Sequence, residues 1–125
     1  MPRHPLLRPV LLFDAATCFA MGSLLVAATA PIAALTDLPV PLLFEAGLIL
    51  FPFALFVRGA ARQAAGWPVQ LVAGLNLAWV AASFAVIAWV QPNGFGIAFV
   101  ATQALAVGVL AGLQFYALGR TPIRA

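Results

Sequence analysis

Acidic side chains are nearly missing from this 125-residue chain: Asp14, Asp37 and Glu45 are all it has. Lysine is absent, so the six basic residues are all arginine, and charged residues make up 7% of the chain. A soluble domain carries about a quarter. That shortage excludes an ordinary water-facing surface. Cys18 is the single cysteine, which excludes an internal disulfide and a thiolate zinc site. His4 is the single histidine and lies in the N-terminal tail, which excludes a bis-histidine haem or a histidine-based catalytic dyad within the apolar part. The arginines fall in short clusters with no basic face, so nucleic acid is not an expected partner.

What the chain does have is apolar surface: 65% of its residues are hydrophobic. Continuous apolar runs cover about residues 9–34, 41–57, 68–90 and 94–119. Each is close to the ~20 residues that cross ~30 Å of hydrocarbon at ~1.5 Å per residue. The runs do not alternate, so they predict helices rather than barrel strands. Pro9, Pro41, Pro68 and Pro92 stand at their starts, where a missing N–H has no intrahelical partner to lose. Pro31 is expected to end or bend the first helix, and Pro52 to free the Leu48 carbonyl within the second and kink it. The fold expected is an all-α membrane protein: one domain over residues 1–125, an antiparallel bundle of four transmembrane helices.

Orientation follows from the arginines. Arg3 and Arg8 precede the first run, Arg58 and Arg62 separate the second and third, and Arg120 and Arg124 follow the fourth. The other two turns, around Asp37 and Asn93, carry no basic residue. The positive-inside rule then puts both termini in the cytoplasm. The Ala-rich, all-arginine composition suggests a bacterial source, hence the cell inner membrane. Ala28-Thr29-Ala30 has the look of a cleavage site, but Pro31 follows it and Asp14 interrupts a run that is long for a signal peptide, so an uncleaved span is expected. Trp67 and Trp89, near the two ends of the third helix, read as interfacial anchors, and Trp79 as packing.

Small residues recur at four-residue spacing: Ala104, Gly108 and Gly112 in the fourth helix, Gly74, Ala78 and Ala82 in the third, Cys18 and Gly22 in the first. Such stripes let helices approach closely in lipid. They are expected inside the bundle, with Gly108-x-x-x-Gly112 as an alternative homodimer face.

Two of the three acids sit in near-copies of one pentapeptide, Leu11-Leu12-Phe13-Asp14-Ala15 and Leu42-Leu43-Phe44-Glu45-Ala46. These begin antiparallel helices, so the carboxylates point toward opposite membrane faces. Depth counting gives Asp14 the partners Gln114 and the guanidinium groups of Arg8, Arg58 or Arg120, with an ion pair favoured. It gives Glu45 the amides of Asn76 and Gln103, with Ser83 and Thr102 nearby. These polar groups serve either as glue between helices or, in a sharper reading, as the linings of two cavities: Glu45, Asn76 and Gln103 opening outward, Asp14 and Gln114 opening inward.

The pieces "LLFDA", "EAGLILFPFA", "NLAWVAAS" and "QALAVGVLAGLQF" together resemble small uncharacterised bacterial four-helix inner-membrane proteins. The resemblance implies the fold and location and adds nothing about mechanism. The function expected is a structural or accessory membrane subunit packing through its small-residue faces, with the lipid bilayer and a second copy or larger membrane complex as partners. The alternative is a small transporter or channel subunit moving a proton or small cation by way of Glu45 and Asp14. No catalytic residue, metal or cofactor is assigned.

Overall fold

The computed structural model describes residues 5–63 and 66–119. His4 and three of the arginines that set the expected orientation, Arg3, Arg120 and Arg124, lie outside the described residues. The helices are α1 (Leu7–Ala27), α2 (Thr29–Thr36), α3 (Val40–Gln63), α4 (Trp67–Val90) and α5 (Gly94–Gly119). All but α2 are long and apolar enough to cross a membrane. The chain is an all-α bundle and a multi-pass membrane protein.

The first run is two helices, not one. Pro31 has no N–H to donate to the Ala27 carbonyl and its ring crowds that oxygen. The break falls at Ala28 (φ −119°, ψ 30°), whose N–H still closes α1 onto Leu24 and whose carbonyl accepts from Ile32 to open α2. The Thr29 hydroxyl donates to the carbonyls of Leu25 and Val26, which the break would otherwise leave open. Asp37, at φ 60°, closes α2 and turns the chain into α3.

The second run extends further than its hydropathy. α3 continues unbroken through Pro52 and on to Gln63, so Arg58 and Arg62 are helical residues rather than loop residues. Alanine and arginine are good helix formers, and Ala60 and Ala61 are buried there against Leu7, Leu11, Val57, Val69, Val72 and Ala117. Arg8 secures this end: its Nε donates to the Ala61 carbonyl at 3.1 Å and a terminal nitrogen to the Arg62 carbonyl at 2.9 Å. These carbonyls lie in the last turn of α3, where no intrahelical donors remain and a cation is favoured.

The start of α1 therefore lies beside the end of α3. At the opposite end the Asn93 side chain donates to the Leu35 carbonyl of α2 and accepts from the Gly96 N–H at 2.8 Å, capping α5. α1 packs mainly on α3 and α4 mainly on α5, and the two pairs meet more loosely through α1–α5 and α3–α4. We call the end holding Arg8 and Ala61 the near end, and the end holding Asp37 and Asn93 the far end.

Backbones approach closely where α1 crosses α3. A Cβ on Gly47 would stand 2.9 Å from the Leu25 Cβ, and one on Gly22 would stand 3.0 Å from the Gly47 carbonyl oxygen. Gly96 is confined in the same way: a Cβ there would overlap the Thr36 carbonyl. The expected α4 stripe lies elsewhere. Gly74, Ala78 and Ala82 are exposed, and nothing lies within 4 Å of a Cβ on Gly74. On α5, Ala104 is fully buried, Gly108 is half-buried beside Val80, and Gly112 is exposed with open space around it.

Candidate functional site

Asp14, Asn76 and Gln114 meet in the middle of the bundle, one each from α1, α4 and α5. The Asn76 Nδ2 donates to Asp14 Oδ2 at 2.8 Å and to Gln114 Oε1 at 3.0 Å. The Gln114 Nε2 donates to the same Oδ2 at 2.6 Å. The Cys18 thiol, one turn along α1, reaches Asp14 Oδ1 at 3.4 Å. Asp14 is 1% exposed, Asn76 3% and Gln114 0%, so all three members of the cluster are buried.

Its place in the core is regular. Toward the near end, Leu7, Leu11, Val69, Val72 and Ala117 form one apolar cluster. Toward the far end, Cys18, Leu25, Leu50 and Val100 belong to a second. On each of α1, α4 and α5 the polar residue falls between these two, so the cluster is a single polar layer between two apolar ones.

Every contact to Asp14 comes from a donor, the complement of a carboxylate acting purely as acceptor. A charged aspartate at mid-helix in a bilayer costs about 2.5–3.5 kcal/mol on the insertion scale. A hydrogen bond to a charged group returns about 1.5–3 kcal/mol. Two amide donors therefore offset the burial with no counter-ion among the described residues. The expected ion pair is not what the structure shows among the described residues: Arg8 is committed to α3, and Arg58 and Arg62 are exposed.

Asn76 is therefore reassigned from Glu45 to Asp14. Fourteen residues separate Asn76 from the far end of α4, about 21 Å of rise, whereas Glu45 lies about 7.5 Å from the far end of α3. From the near end, Asp14 and Asn76 lie at about 10.5 and 13.5 Å. Glu45 itself is exposed, with no hydrogen bond or ion pair to another described residue.

Gln103 forms a second, smaller cluster between α4 and α5. Its Oε1 accepts from the Trp79 indole at 2.8 Å, and its Nε2 donates to the Ser83 hydroxyl and to the Val100 carbonyl, each at 2.9 Å. Ser83 also donates to the Trp79 carbonyl at 2.7 Å. Glu45, Ser83 and Gln103 border one cavity of about 300 Å³, so two of the three residues expected to line an outward cavity do share one, without a bond between them. Two participants were missed in the sequence: Trp79 as a donor and Cys18 as a contact to Asp14. The four-residue spacings Asp14–Cys18 and Trp79–Ser83, each one helical turn, were the available signal.

A much larger groove, of about 1230 Å³, runs between α1 and α5. Its walls are apolar, and Asp14, Thr17, Cys18 and Gln103 touch it along its length. Among the described residues no three His, Cys, Asp or Glu side chains gather as a metal site would require. Every buried side-chain nitrogen or oxygen among them has a hydrogen-bond partner.

No protein-family model, curated protein or solved structure matches the chain.

Proposed function

We propose that the protein is an accessory subunit of a membrane complex, held in a bacterial inner membrane with both termini cytoplasmic, and that it assembles by helix packing. The observation that carries this reading is the α4 face of Gly74, Ala78 and Ala82, a small-residue surface exposed at all three positions, with open space around Gly74 and with Ala82 at the border of the 300 Å³ cavity. In lipid such a surface gains little from staying exposed, and a second helix brought close to it gains van der Waals contact. The polar layer supports the same reading, because its hydrogen bonds are satisfied within the chain and it serves as internal glue. Exposed Trp67 and Trp89 at the two ends of α4 fit interfacial anchoring.

The test is the mass of the protein extracted from its own membrane in lipid nanodiscs. A particle larger than one chain is expected, and Ala78→Leu should reduce it to the single chain. A single chain in every lipid tested sinks the proposal. Orientation is checked separately with a reporter joined after Ala125, active only in the cytoplasm if the reading holds.

One observation favours a second reading, a small cation or proton transporter: the α1–α5 groove touches both Asp14 and Gln103. In reconstituted vesicles a flux abolished by Asp14→Asn would establish it. A flux indifferent to Asp14→Asn and Glu45→Gln would remove it.

A further inference from the structure

The cavity of about 300 Å³ is bordered by Glu45, Trp79, Ser83 and Gln103, and the hydrogen bonds among these side chains leave a one-sided remainder. The Trp79 indole N–H goes to Gln103 Oε1. Gln103 Nε2 donates one N–H to Ser83 Oγ and the other to the Val100 carbonyl. The Ser83 hydroxyl donates to the Trp79 carbonyl. Every side-chain N–H and O–H of these three residues is therefore used within the chain, and the other lining side chains are apolar.

What remains is acceptor capacity. An amide oxygen and a hydroxyl oxygen each have two lone pairs, so Gln103 Oε1 and Ser83 Oγ keep one apiece. Glu45 adds a carboxylate, which when ionised only accepts, and it is exposed with no hydrogen bond or ion pair to another described residue. Counted along the helices from the far end, Glu45, Ser83 and Gln103 lie at about 7.5, 10.5 and 13.5 Å. The three acceptors thus share one band of the far half. No arginine stands between Arg8 and Arg58 or between Arg62 and Arg120, so Glu45 has no counter-charge there. Among the described residues, the other charged side chain of that half is Asp37, of the same sign.

From this remainder we infer that the cavity binds an ammonium group carried on a small apolar body, with the ammonium donating to Glu45, Gln103 Oε1 and Ser83 Oγ. An ammonium has three donors and no acceptor, the complement of what the cavity leaves open. An anion would meet no donor. An alcohol or amide would bring an oxygen to which no side chain of the cavity has a proton left to give. The volume is at the lower end of the range for small-molecule sites, which suits a single ring or short chain packed against Leu25, Trp79 and Phe99. Two sources share this chemistry, a free lipophilic amine and the ethanolamine headgroup of a phospholipid. The inference goes beyond the accessory reading, because a small amine can bind whether or not the chain assembles.

The probe is tritiated phenylbutylamine, titrated onto the full chain in phosphatidylcholine nanodiscs, with protein-free discs to subtract partition into lipid. Phenylbutanol and phenylbutyrate, its neutral and anionic counterparts, are the competitors. The amine is expected to bind roughly ten- to a hundredfold more tightly than the alcohol, the ratio given by one hydrogen bond to a charged group, and the butyrate is expected not to compete. Glu45→Gln should remove the amine's advantage. Ile49→Trp provides a second arm: it narrows the cavity from a lining position that is 60% exposed and outside the polar cluster, and should weaken amine and alcohol alike. Exchanging half of the phosphatidylcholine for phosphatidylethanolamine separates the sources. Displacement of the amine assigns the site to the headgroup and retention assigns it to a free amine, and either upholds the ammonium.

Equal affinity for amine and alcohol, or an amine preference that survives Glu45→Gln, overturns the inference. So does butyrate competing as well as the amine, or amine binding indifferent to Ile49→Trp, which would place the amine outside the cavity. The accessory reading fails or stands separately, since none of these outcomes depends on whether the native protein is found as a single chain or in a larger particle.

Discussion

Two nearly identical pentapeptides end up in opposite circumstances. Leu11-Leu12-Phe13-Asp14-Ala15 places its carboxylate in the buried interior of the bundle with three donors around it, and Leu42-Leu43-Phe44-Glu45-Ala46 places its own on the outside with none among the described residues. The local sequence is the same. What differs is what the opposite helices offer at that depth: Asn76 and Gln114 face Asp14, whereas Glu45 has only a side opening toward Gln103 and Ser83. A buried acid in lipid is therefore defined by its facing residues more than by its own segment.

The contrast can be broken most strongly at Asp14. Asp14→Leu leaves the Gln114 Nε2 without its acceptor and takes one of the two acceptors of Asn76 Nδ2, and is expected to lower stability by about 2–4 kcal/mol, since each unsatisfied buried group costs about 1–3 kcal/mol. Reversible unfolding in mixed micelles measures it, and a loss below about 0.5 kcal/mol would show that the layer is not structural. Next comes the seam that holds the two pentapeptide helices together. Gly47→Val forces side-chain bulk against Leu25 and should cost about 1–3 kcal/mol in the same assay.

Smaller effects sharpen the comparison. Gln103→Leu removes the acceptor for the Trp79 indole and should cost about 1 kcal/mol, with a change in Trp79 fluorescence as the independent sign that this bond was present. Glu45→Gln is expected to stay within about 0.5 kcal/mol of the parent, as a surface change does. A large loss there would mean that Glu45 has a partner in the membrane that the isolated chain does not contain.

The four spans were legible because apolar length is a property of composition alone. Their ends were less so. Hydropathy stops at Val57 while α3 continues, since buried Ala60 and Ala61 extend the helix without raising the apolar signal much. Pro31 announced a break but acted one turn upstream, on the carbonyl it cannot serve. Asp14 and Gln114 were paired correctly because both lie within two turns of the near end. Asn76 was misplaced because nine residues separate it from the near end of α4 and fourteen from the far end, which sets it at the depth of Asp14 rather than of Glu45. The close-packed glycines were misjudged for a related reason. A four-residue stripe says that a face is flat, not which helix lies on it: Gly22 of the α1 stripe does pack tightly against Gly47, whereas Gly74 of the α4 stripe faces open space and Gly47 and Gly96, named in no stripe, make tight approaches.

The polar layer also has an order of assembly written into it. Its members lie at positions 14, 76 and 114, so during synthesis the aspartate enters the bilayer long before the last amide that serves it leaves the ribosome. Until α5 arrives, the nascent protein holds a carboxylate short of a partner, a chemical mark of incompleteness that only the finished chain erases. Chains released after Asn93 should accordingly let a membrane-permeant maleimide reach Cys18 faster than full-length chains do, and equal labelling rates would show that the last helix plays no part in sealing the first.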